Sequence, residues 1–177
     1  PVVSSPGAEG AQDGAEDGDL DCAGGLVVPA FVDMHTHLDQ GHIWPRAHNV
    51  DGSFGAALRA VEADRDANWT AGDVAARFEF ALKAAYAHGT AALRTHISTT
   101  PRQLSISWPV FAELKEKWAG RLVLQGSSLS AIDDIPDEPG PMFDAITAHG
   151  GMVGAFLYRT PELRAKLNVL LAAAEER

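Results

Sequence analysis

Four times along this chain a short strand-like run gives way to a longer stretch of helical periodicity, and that alternation limits the possible folds most. The first run is Phe31-Val32-Asp33-Met34-His35-Thr36-His37, entered through Gly24-Gly25-Leu26-Val27-Val28-Pro29-Ala30. Ser53 is placed to cap a helix over 54 to 67. Thr70 or Asp73 opens another, with Val74, Phe78, Ala81, Leu82 and Ala85 at helical spacing. It should stop at His88-Gly89, where glycine supplies a left-handed residue and histidine complements the helix dipole. Thr90 to Ile97 reads as the second strand, Trp108 to Trp118 as a helix ending at Gly120, and Leu122 to Gly126 as the third strand. A helix near Pro141 to His149 repeats the His-Gly stop at Gly150, Met152 to Leu157 reads as a fourth strand, and a last helix starts near Pro161. Short connections make the strands parallel neighbours with right-handed crossovers, hence four consecutive βα units.

Composition narrows the class. With 177 residues, 46% of them hydrophobic, the chain can build one ordinary core. The net charge of -10 is unevenly spread: Glu9, Asp13, Glu16, Asp17, Asp19 and Asp21 fall in the opening segment, and no Lys or Arg occurs before Arg46. Residues 1–23 therefore read as an acidic, flexible segment. Nucleic-acid binding is disfavoured for want of a basic surface. No apolar run approaches the roughly 20 residues of a membrane span, and no secretory leader is recognisable, so a secreted fate is not expected. The single cysteine, Cys22, excludes an internal disulfide and a cysteine-rich zinc site and suits a reducing cytoplasm.

The chemistry concentrates at strand ends. Strand alternation sends Phe31, Asp33, His35 and His37 to one face and Val32, Met34 and Thr36 to the other, so two imidazoles leave one face side by side. That spacing suits a divalent metal at the C-terminal end of a strand, where α/β folds keep their chemistry. Asp39 is positioned either to support a ligating histidine from behind or to cap a turn. Arg94 and His96 share a face at the end of the second strand. His42 and His48 fall in the long loop after the first strand with Trp44, which either walls a pocket or pins the loop. His88 and His149 read as helix caps, and Trp69, Trp108 and Trp118 as packing groups. The Cys-x-x-Cys type of deaminase is excluded by the lone cysteine, and no Gly-rich phosphate loop follows the first strand.

The run from Phe31 to Asp39 resembles the opening of the amidohydrolase superfamily, whose usual form is Pro-Gly-Phe-Val-Asp-x-His-x-His-x-Asp, with Ala30 here in place of glycine. Ala92-Leu93-Arg94-Thr95-His96-Ile97 and Gly154-Ala155-Phe156-Leu157 extend the likeness to the cytosine deaminase group, over roughly 24 to 177. The resemblance implies that residues 24–177 are the first four βα units of a (β/α)8 TIM-type barrel, with residues 1–23 at most a remnant of a flanking β-sandwich. It implies one divalent ion, Zn2+ or Fe2+, on His35 and His37, with Asp39 behind them. It implies a small heterocyclic substrate near Arg94 and Trp44, with His96 orienting it, and deamination by metal-activated water. The remaining metal ligands of the family lie on later strands, so this stretch is expected to carry part of the site. Leu129 or a neighbour occupies the place where cytosine deaminases read the pyrimidine edge with glutamine, which leaves the heterocycle open. Opening a cyclic amide or cleaving an N-acyl bond would use the same apparatus. A non-catalytic module pairing or self-associating through exposed sheet edges is the other reading.

Overall fold

The computed structural model describes residues 21–176. The described residues before Phe31 form a unit of their own, a turn closed by Gly25 N donating to the Cys22 carbonyl at 2.7 Å and then irregular chain. Most of the acidic segment expected to be flexible lies outside the described residues.

From Phe31 onward the order is β1 (Phe31–Thr36), α1 (Phe54–Asn68), α2 (Ala71–Ala87), β2 (Thr90–Ser98), α3 (Pro101–Leu104), α4 (Ser107–Lys117), β3 (Val123–Leu129), α5 (Gly140–Ala148) and α6 (Leu163–Glu175), with a 3-10 turn at Ile132–Asp134. The strands form a parallel sheet in the order β1-β2-β3. Local chemistry sets the boundaries. The Ser53 hydroxyl accepts from Ala56 N, and Thr70 rather than Asp73 caps α2, accepting from Asp73 N at 3.2 Å. At the other end the His88 ring bonds the Ala84 carbonyl at 2.7 Å and Gly89 turns left-handed at φ +84°, which releases the chain into β2.

β2 is the centre of the unit. Leu93, Thr95 and Ile97 on one face, with Leu124 of β3, lie under Val74, Phe78 and Leu82 of α2 and Trp108, Phe111 and Leu114 of α4, all buried. Each such aliphatic or aromatic side chain contributes about 1.5–3 kcal/mol of burial. The opposite face carries Arg94, His96, Gln125 and Ser127 and has no helix over it among the described residues.

The expected fourth strand needs correction. Met152 and Phe156 each make an isolated parallel bridge, to Ser127 and Ala131, and no continuous strand forms. Between them the Ser128 hydroxyl takes both ladder positions, accepting from Gly154 N and donating to the Gly154 carbonyl at 2.7 Å each. A side chain thus substitutes for backbone pairing. β3 also runs past its expected end through Ser127, Ser128 and Leu129, and α3, capped by Thr100 with Pro101 in its first turn, was not foreseen. No described helix is long and apolar enough to cross a membrane.

Candidate metal and substrate site

The ladder between β1 and β2 is irregular where the histidines emerge. Its register shifts between Asp33 and Thr36, and two threonine hydroxyls fill the gaps. Thr36 Oγ1 donates to the Arg94 carbonyl at 2.9 Å, and Thr95 Oγ1 accepts from Leu38 N at 3.0 Å. His37 therefore lies just past the last paired residue of β1, held on both sides.

His35, His37 and His96 come together. Ring centroids are 5.1 Å apart for His35 and His37, 4.4 Å for His35 and His96, and 5.6 Å for His37 and His96. Nδ1 of His37 is buried and has no hydrogen-bond partner. Burial lowers the pKa of His37, against an opposing pull from the His96 backbone, and nearby His35 lowers it further. Burial also lowers that of His96, followed by the fields of His35, His37 and Arg94. Both shifts favour the neutral ring, which keeps a lone pair available. Among the described residues, however, no set of three or more His, Cys, Asp or Glu donors forms a metal cage. The residues fit a divalent ion as part of a ligand set: two imidazoles on one strand end, one with an unpartnered buried nitrogen.

The other expected residues take different positions. Arg94 lies one layer before His96 on the same face, and its Nε and Nη2 donate to Gln125 Oε1 at 3.0 and 2.9 Å. Gln125 is its register partner on β3, a pairing that strand parity alone does not reveal. Asp39 is fully buried; its Oδ2 accepts from Ser98 N at 2.9 Å, and its Oδ1 has no hydrogen-bond partner. Burial pushes its pKa up to about 6, against the pull of the Ser98 amide and Arg77. Trp44 stays 60% exposed and meets His48 edge to face at 4.8 Å, while His42 packs on Phe80 at 4.7 Å. His42 holds φ +61°, a left-handed conformation that costs a non-glycine residue about 1 kcal/mol.

A cleft of about 730 Å³ opens at the C-terminal ends of β2 and β3. Gln40, Ser98, Leu129, Ala131, Met142 and Phe156 are among its walls, and the three histidines are not. It meets the histidine region at Gln40, whose Nε2 donates to Ser98 Oγ at 3.1 Å, next to the Asp39 contact. Leu129, expected beside a substrate edge, is in this wall.

Strand-end histidines over a parallel sheet define a class, and comparison with known proteins agrees with it. Residues 20–100 match the model of the amidohydrolase family. A pterin deaminase of Rhizobium rhizogenes is 44% identical over 162 residues, covering 90% of this chain and 37% of the relative. The 5-methylcytosine deaminase of Klebsiella pneumoniae with 5-fluorocytosine superposes with a TM-score of 0.63 at 21% identity, over 97% of this chain and 49% of that one. The same enzyme with phosphonocytosine gives 0.64 at 20% identity, over 94% and 49%. The chain is similar to the amidohydrolase superfamily and to its deaminases. It spans 37% of the curated relative it matches.

Proposed function

We propose that this chain forms the first βα units of a (β/α)8 barrel in a metal-dependent hydrolase that deaminates an aminated heterocycle of the pterin kind. The observation that carries the reading is the buried, unpartnered Nδ1 of His37 beside His35 and His96 at the strand ends. Support for the heterocycle comes from the 44% identical pterin deaminase and from the apolar Leu129 at the edge of the cleft.

A divalent ion, Zn2+ or Fe2+, supplies Lewis acidity and an activated water in such a site. His35 and His37, at the end of β1, would hold it as part of a larger ligand set. His96 would orient the substrate by a hydrogen bond to a heteroatom beside the reacting carbon, while Arg94 and Trp44 contact the rest of the ring. Water adds to the ring carbon bearing the exocyclic amine, the carbon–nitrogen bond breaks, and ammonia leaves a ring carbonyl behind.

The test uses the polypeptide that carries this chain, loaded with Zn2+ or Fe2+ and incubated with pterin. Ammonia release with retention of the ring is expected, and a carboxylate product would instead indicate opening of a cyclic amide. His37→Ala should lower bound metal by at least about tenfold, read by elemental analysis of the dialysed protein. Full metal content in that variant would sink the assignment of His37.

A further inference from the structure

Immediately after His37 the chain makes a tight turn, with Gln40 N and Gly41 N both donating to the His37 carbonyl at 3.1 Å. The turn is gripped from β2 by the Leu38 and Asp39 contacts already described. It is gripped from the opposite side by a single guanidinium. Arg77 of α2 is 8% exposed, and its Nη1 donates to the Asp39 carbonyl at 2.6 Å and to the Gly41 carbonyl at 2.9 Å.

A chain of charge pairs fixes that guanidinium in turn. Its Nε donates to Asp73 Oδ2 at 2.9 Å, and the group lies 5.0 Å from the centroid of the Trp69 ring. Nη2 is as close to the same Asp73 oxygen but lacks hydrogen-bond alignment. Asp73 also takes Arg46 Nη1 at 2.6 Å, and Arg46 forks onto Asp64 through Nε at 2.7 Å and Nη2 at 2.9 Å. Asp64 is anchored by Trp69 Nε1 at 2.8 Å and Asn68 at 2.7 Å. The loop is thus tied to α1 and α2 at both ends, through Asp39 and Gly41 at one and Arg46 at the other, and the left-handed His42 lies between the ties. A buried guanidinium held by Asp73 through Nε, with Nη1 shared between two carbonyls of a ligand-bearing turn, fixes the direction in which that turn presents its imidazole.

We infer that Arg77 is a positioning residue for the metal site: by clamping the Asp39 and Gly41 carbonyls it holds the His37 turn in the conformation that aims His37 at His35 and His96. This rests on the reading of His35 and His37 as metal ligands. A lysine at 77 has one nitrogen for both Asp73 and the two carbonyls, where arginine uses Nε and Nη1 separately, and so would hold the turn less firmly.

The experiment compares the parent with Arg77→Met, Arg77→Lys and Asp73→Asn. It reads Zn2+ affinity by chelator competition, the absorption of the Co2+-loaded protein, and amide exchange at Gln40 and Gly41. Arg77→Met should weaken Zn2+ binding about 10- to 100-fold. It should also shift the Co2+ spectrum and speed exchange at the two turn amides, with β2 exchange unchanged. Arg77→Lys should fall between Met and the parent. Zn2+ affinity within twofold of the parent in folded Arg77→Met overturns the proposal. Should that variant fail to fold, unchanged affinity in both Arg77→Lys and Asp73→Asn overturns it equally. A parent that binds no Zn2+ removes the metal reading itself, an outcome distinct from a parent and variants that bind alike.

Discussion

At Gly151 an added Cβ would collide with the six-membered ring of Trp108 and lie 3.0 Å from Ile146 Cγ2. Both neighbours are fully buried, so neither has room to yield. Gly151→Ala should therefore destabilise the fold by about 2 kcal/mol or more, seen as a lower urea midpoint at unchanged slope; an unchanged midpoint would show that Trp108 moves freely. The sequence marks Gly150 as a helix stop, because a left-handed residue after a helix is a local demand. It does not mark Gly151, whose constraint comes from a tryptophan far away in the chain. Gln125 shows the same divide. Its bond to Arg94 depends on the register between strands.

At the scale of elements, the connection from β1 to α2 is held by ionic pairing as much as by apolar burial. Burial pushes the Asp64 carboxyl up, yet its bonds to Arg46, Trp69 and Asn68 outweigh this and hold it below the usual carboxylate range. Asp73 is held low chiefly by Arg46, with Arg77 adding to the pull against burial. Groups whose folded pKa is depressed stabilise the fold above their unfolded pKa of about 3.9, and that contribution fades as pH falls through the folded values. Asp39, raised to about 6 by burial, works in the opposite sense until the pH falls to about 4, so the urea midpoint should drop as pH goes from about 4 toward 3, and Asp64→Asn should lower stability at pH 7 while flattening that drop. A parallel pH profile in the variant would remove Asp64 as its source. The α1 and α2 caps were readable because Ser53 and Thr70 act within three residues of themselves. The fourth strand was misjudged because the Ser128 hydroxyl, on the neighbouring strand, replaces its central pairing.

For the molecule as a whole, the sheet edge matters most. Among the described residues β1 pairs with β2 alone, and Phe31, Val32 and Met34 are 58%, 72% and 71% exposed. An apolar strand with a free edge templates further pairing. This chain by itself should self-associate at micromolar concentration, and Val32→Lys should suppress that association in sedimentation velocity. A parent that stays monomeric across that range would show the edge to be blunted in another way.

What the sequence by itself determined is what acts over short spans: the alternation of strand and helix, the capped helix ends, the His-x-His on a strand end and the inward parity of Arg94 and His96. Those follow from backbone periodicity and side-chain chemistry within a few residues. Only the tertiary structure decided that His96 joins His35 and His37, that Asp39 turns to Ser98, and that Arg77 closes on the turn after His37. Each of these joins residues from separate strands or helices, so each is set by register and packing, which no local pattern encodes.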